Sequence, residues 1–260
     1  MIARATAWIM LGIAVAWPAA ATRAASSIPA ADFAGFAFDQ RLGARLPLDA
    51  VLQDASGAPV VLGSLFGRVP LVLDFEYDRC TTLCGTVLDQ LTAALAALPL
   101  AAGRDYRLAA IDIDANATGQ DAAAFARAHG VDQPGMAVLT GDAAALARVA
   151  QAAGFPYRRD PATGQFAHPA GLVVATPDGR ISRYLPGLSW RPLDLRLALV
   201  EAADGGIGTP ADRILLLCYC YDPLTGQYDV AIGRLLQIVG AATLVTLAAT
   251  VWLAARRVAR

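Results

Sequence analysis

An apolar run, Val69–Phe75, passes straight into a segment whose apolar residues recur at helical spacing, Leu83–Leu98, and two cysteines, Cys80 and Cys84, sit at the join. A short continuous apolar run reads as a buried strand, so the cysteines straddle a strand-to-helix junction. The alternation then repeats. Tyr106–Ile113 predicts a second strand and Gly119–His129 a helix, with Asn116 or Thr118 as cap and Gly130 as stop. Ala137–Thr140 predicts a third strand, and Ala143–Ala153 an alanine-rich helix closed by Gly154. After that the pattern changes: Gly171–Thr176 and Arg180–Leu185 read as strands joined by the turn Pro177-Asp178-Gly179, and Pro192–Ala203 as a last helix. Near the start, the Asp54-Ala-Ser-Gly57 turn separates two short apolar segments, the pattern of a hairpin.

Strand–helix alternation that closes in a hairpin and a helix implies an α/β domain over residues 32–205, with a mixed sheet flanked by helices on both faces. A thioredoxin-like fold fits that order. The hydrophobic content, 56% of 260 residues, is high for a soluble domain, and the two ends account for it. Residues 1–24 carry Arg4, an apolar run and small residues at Ala19, Ala21 and Ala24, the layout of a secretory signal or of an uncleaved N-terminal anchor. Leu235–Ala255 is long and apolar enough for a transmembrane helix. Arg256, Arg257 and Arg260 follow it against Arg234 alone before it, a bias that puts the C-terminus in the cytoplasm and the body in the periplasm, at a bacterial inner membrane. The net charge is −1 and every basic residue is arginine, with no basic patch to suggest nucleic acid.

The cysteine spacing carries the chemistry. Residues four apart share one helix face, so Cys80 and Cys84 can converge on one ion or close as a disulfide. The free N–H groups of a helix start, with Arg79 beside them, favour thiolate over thiol. Thiolates select copper(I), zinc or iron–sulfur, and a thiolate pair completed by one imidazole makes a low-coordinate site suited to copper, whereas zinc ordinarily takes a fourth ligand. His168, one of only two histidines, stands in a Gly/Pro-punctuated loop and is the available imidazole; His129 closes a helix and is assigned no function. Asp112 and Asp114 share one face at a strand end, which suits a hard cation or, more simply, cap and loop duty. Glu76 and Tyr77 stand at the mouth of the cysteine site, where they could support its ligands, though burial of Tyr77 in the core is the simpler account. Cys218 and Cys220, in the juxtamembrane segment 206–233, form a Cys-x-Cys pair that points to one side when extended and suits a secondary thiol site, while i, i+2 geometry is poor for a disulfide between them.

The run Asp74-Phe-Glu-Tyr-Asp-Arg-Cys80-Thr-Thr-Leu-Cys84-Gly, the later Val138-Leu-Thr-Gly141, and His168 ahead of Thr176-Pro-Asp-Gly-Arg-Ile-Ser-Arg-Tyr-Leu-Pro-Gly187 together resemble the Sco/SenC family of membrane-anchored, thioredoxin-fold copper chaperones of cytochrome c oxidase assembly. The resemblance implies a copper ion held by Cys80, Cys84 and His168 and delivered to the CuA centre of oxidase subunit II, with a periplasmic copper donor or thiol reductant as a further partner and no substrate turned over. The chain departs from the family pattern at Thr81 and Gly85, where Pro usually follows each cysteine, and at Ile113, where Asp-Pro is usual. The alternative is an enzyme, a thiol-disulfide oxidoreductase in which Cys80 attacks and Cys84 resolves. Pro169, directly after His168, stands where thioredoxin-fold reductases place a cis-Pro.

Overall fold

The order of elements follows the switches in hydrophobic period along the chain. The computed structural model describes residues 37–80, 84–161, 164–203, 219–222 and 227–230, together with helical residues 237, 240–247, 249–250 and 252. It begins with a hairpin of β1 (Val51–Gln53) and β2 (Pro59–Val61). Asp54 closes that hairpin, its Oδ1 accepting from the N–H groups of Ser56 and Ala58, the local bonding that makes Asp a turn former. A 3-10 turn, Leu62–Leu65, leads to β3 (Leu71–Glu76), which is buried at every position. The alternation runs on through α1 (Cys84–Ala96), β4 (Arg107–Asp112), α2 (Gly119–Ala128), β5 (Met136–Leu139) and α3 (Ala143–Ala152). A small hairpin of β6 (Arg158–Arg159) and β7 (Phe166–Ala167) precedes β8 (Gly171–Ala175), β9 (Ile181–Pro186) and α4 (Pro192–Ala202). Finally β10 (Tyr219–Asp222) and β11 (Gln227–Val230) pair as a separate hairpin, with β11 against α4.

One five-stranded sheet, in the order β5-β4-β3-β8-β9, carries the domain. β3, β4 and β5 are parallel, and β8 and β9 join antiparallel at the other side. Side chains alternate across a strand, so β3 serves two cores. Val72 packs with Leu88, Leu91 and Leu95 of α1, Phe125 of α2 and Leu195 and Leu199 of α4. Leu71, Leu73, Phe75 and Tyr77 face the other way, onto Leu52, Leu62, Leu146 and Val149 of α3, and Phe155. This two-sided burial explains why the central strands read as continuous apolar runs, and the layering fits a thioredoxin-like fold.

The helices α2, α3 and α4 begin where the sequence predicts them and end one residue sooner. Thr118 is the N-cap of α2, in a reciprocal capping box with Asp121, while Asn116 bonds instead to Asp114. Asp142 caps α3 by accepting from the Ala145 N–H at 2.7 Å. Gly154 has φ +62, and a Cβ there would sit 1.8 Å from the Asp39 carbonyl oxygen, so only glycine lets the chain leave α3 so close to the backbone at Asp39. α2 stops at Ala128 with His129 as its C-cap, one residue sooner than expected. No helix among the described residues is long and apolar enough to cross a membrane. The expected signal segment 1–24 lies wholly outside the described residues, and the expected span Leu235–Ala255 lies partly outside them. Within that span residues 240–247 are helical, and Leu244 and Val245 are each 69% exposed.

Candidate metal centre

The end of β3 turns sharply into the cysteine segment. Cys80 N–H donates to the Tyr77 carbonyl at 3.0 Å, and the half-buried Cys80 packs on the core face formed by Phe75, Tyr77 and Phe155. Cys84 is the first residue of α1, one turn ahead of the buried Leu88 and two ahead of Leu91 on the inward stripe of the helix; its side chain lies outside the described residues. His168 reaches the same end of the sheet from the opposite chain direction. β8 runs antiparallel to β3 with Asp74 opposite Leu172, so the chain enters β8 at the end of the sheet where β3 leaves for Cys80.

An aromatic wall supports that approach. Phe155 stacks on Phe75 with ring centroids 4.5 Å apart and lies 5.5 Å from the His168 ring, while Phe166 meets Tyr77 edge-on at 5.1 Å. Tyr77 is therefore core packing, the simpler of the two accounts its sequence position allows. The His168 Nδ1 lies 2.8 Å from the Pro169 carbonyl oxygen, so the nitrogen that carries the proton is Nδ1 and the lone pair is left on Nε2. Burial lowers the His168 pKa, opposed in part by that hydrogen bond. A neutral imidazole with a fixed tautomer is what metal ligation needs. No peptide among the described residues is cis, so Pro169 follows His168 in trans. Among the described residues no three His, Cys, Asp or Glu side chains are gathered as a metal site, and the Cys84 side chain is not one of those residues. Cys218 lies outside them as well. Cys220 falls in β10, where its backbone pairs with Asp229 of β11.

On the other face of the same strand end lies a group of buried acids. Asp74, Glu76 and Asp112 share the face of Val72, Leu108 and Ala110, the α1 and α4 side of the sheet, and all three are at most 2% exposed. Both Glu76 oxygens and Asp74 Oδ2 lack a hydrogen-bond partner. Burial pushes Asp74 up to about 7. Asp112 rises to about 8, through burial first and then its hydrogen bond with Asp78. Glu76 is held well above its usual value by burial and then by the charges of Asp74, Asp112, Asp78 and Cys80. All three hold their protons to higher pH than a solvent-exposed carboxyl, first because ionisation would put charge into a buried, low-dielectric face. Asp112 also accepts from the Asp114 N–H at 2.7 Å, and Asp114 in turn is ion-paired to Arg79, which closes the outer side. Asp112 and Asp114 thus do the loop duty expected of them, accepting from the N–H groups of Asp114 and Asn116, with Asp112 also buried in the core. The sequence signal that could have exposed the cluster is the two-residue spacing of Asp74 and Glu76 behind Val72 on one strand face.

Comparison with known proteins bears on the same region. The SCO1/SenC family model matches residues 44–196, which takes in Cys80, Cys84 and His168. A solved structure of a candidate electron transfer protein from Aquifex aeolicus VF5 is 26% identical, with a TM-score of 0.60, over 64% of this chain and 96% of that one. Copper-bound ScoI from Arabidopsis thaliana, 19% identical with a TM-score of 0.52, and copper-bound ScoI from Bradyrhizobium japonicum, 23% identical with a TM-score of 0.50, each match over 63% of this chain and 99% of their own. At those identities the two ScoI structures speak for the fold alone. Compared with curated protein sequences, the chain has no significant match.

Proposed function

The chain belongs to the SCO1/SenC family, and on that footing we propose that it binds copper on Cys80, Cys84 and His168 and delivers it to the CuA centre of cytochrome c oxidase subunit II during assembly. The observation that carries the reading is His168, a half-buried imidazole tied through Nδ1 to the Pro169 carbonyl and standing at the same sheet end as Cys80. Two thiolates suit copper(I), and the imidazole helps to hold copper(II), so the set accepts both states without the tight four-coordinate cage that would oppose release. The body is exported and the C-terminus cytoplasmic, with 235–255 as the anchor; the exposed apolar side chains of helical residues 240–247 support that placement. A periplasmic copper donor loads the site, or a thiol reductant keeps its two cysteines reduced and ready for metal.

The competing reading is a thiol-disulfide oxidoreductase that acts on cysteines of the oxidase subunit through Cys80 and Cys84. His168→Ala separates the two. Removing one of three ligands while leaving the dithiol intact lowers copper(II) affinity by orders of magnitude, spares copper(I) more, and leaves any disulfide-reductase activity largely in place. Parental copper(II) binding in that variant, together with unimpaired oxidase assembly under limiting copper, would move the oxidoreductase reading ahead.

A further inference from the structure

Resting on the copper-site reading of Cys84, we propose that His129 is a positioning residue for the cysteine helix, strapping the end of α2 across the first turn of α1. Cys84 opens α1, and the first turn of a helix is its least supported part because the leading N–H groups have no partner within the helix. No acidic residue lies in that first turn to offset the helix dipole. A ligand carried there needs holding from outside the helix.

His129 supplies two holds on one face. Its Nδ1 lies 2.7 Å from Asp89 Oδ1, a contact that joins the end of α2 to α1 across forty residues of chain. Its opposite edge lies on Gly85, the residue after Cys84: a Cβ built at 85 would fall 2.7 Å from His129 Cε1 and 2.9 Å from Nε2. Gly85 and Asp89 are four residues apart and so share one helix face. Contact at both sets the rotation of the first turn as well as its position along the helix axis. The imidazole itself is held in place, tilted on Phe125 at a centroid distance of 4.4 Å, and Phe125 belongs to the core that α1 shares with the sheet. A plain C-cap histidine would need none of these contacts to α1.

The two positions make a closed test, because a methyl group at 85 and the ring of 129 compete for the same space. Copper(II) affinity of the full chain in detergent, and the dithiol–disulfide equilibrium of Cys80 and Cys84 against glutathione, are measured for His129→Ala, His129→Asn, Gly85→Ala and the double variant Gly85→Ala/His129→Ala. Loss of an outer-shell group of this kind lowers metal affinity about 10- to 100-fold, and that is the expected loss for His129→Ala. His129→Asn, which can still donate to Asp89, recovers part of it. Gly85→Ala, by displacing the ring, causes a similar loss in the parent and almost none when His129 is already Ala. That dependence on background is not produced by general destabilisation. Parental copper affinity and parental dithiol equilibrium in His129→Ala overturn the proposal, as does an equal cost of Gly85→Ala in both backgrounds. Should His129→Ala fail to fold, Gly85→Ala and His129→Asn carry the same comparison. Absence of copper binding in the parent would instead count against the copper reading, and the dithiol equilibrium would still decide the role of His129.

Discussion

Asp74→Asn replaces a buried carboxyl by a group of the same shape that cannot ionise. Asp74 lies in the middle of the sheet, with Oδ2 lacking a partner, and burial alone pushes its pKa from 3.8 to about 7. A carboxyl held above its unfolded value binds its proton more tightly in the folded chain. Stability from this group is therefore fully present below pH 3.8 and is lost as pH rises through about 7. At about 1.4 kcal/mol per pH unit the loss reaches about 4 kcal/mol at pH 8 and roughly half of that at pH 5.5. Relative to the parent, Asp74→Asn should be near neutral or slightly destabilised at pH 4 and more stable by up to about 4 kcal/mol at pH 8. The measurement is urea unfolding of both proteins at half-unit intervals from pH 4 to pH 9, with the m-value checked for constancy. Parallel stability–pH curves, offset or superimposed, would falsify the assignment of a raised Asp74 and with it the argument that the acids at this sheet end hold their protons.

Three further outcomes are expected. Air-oxidised, metal-free protein should yield a reversible Cys80–Cys84 bridge on peptide mapping, since cysteines four apart across a strand-to-helix junction can be brought within disulfide reach; exclusive pairing of either with Cys218 or Cys220 would recast the segment 206–233 as part of the site. Tyr184→Phe removes a hydroxyl that accepts from the Arg41 N–H at 3.0 Å and donates to the Ala153 carbonyl at 3.0 Å, so it should cost about 1–3 kcal/mol in urea unfolding, and an unchanged midpoint would show that neither bond is needed. A reporter fused after Arg260 should be active when it requires the cytoplasm and silent when it requires the periplasm; the reverse pattern contradicts the proposed topology.

The strands and helices were legible because their periods differ and their punctuation is local. Thr118, Gly130 and Gly154 end or begin helices through their own backbone and side-chain chemistry, which needs no knowledge of the partner element. The acids at the end of the sheet were not legible in the same way. Asp74 hides inside an apolar run, and Asp112 reads as a cap or loop group at the end of a core strand; only the alternation of β3 and β4 against α1 shows that both are buried on one face. His129 reads as a helix stop, and its contact with Gly85 joins segments whose sequence separation gives no hint of it. The β6–β7 and β10–β11 hairpins also went unforeseen, being too short or too polar to show a period of two. His168 was placed in a loop, and what the structure adds is the hydrogen bond that decides its tautomer.

The central claim is the ligand set, and X-ray absorption at the copper edge, on full chain loaded with one equivalent of copper, tests it most directly. Two sulfur ligands and one imidazole nitrogen are expected in the parent, with the nitrogen lost in His168→Ala and sulfur lost in Cys80→Ser and in Cys84→Ser. A shell of nitrogen and oxygen alone, or a spectrum unchanged by all three substitutions, contradicts the account.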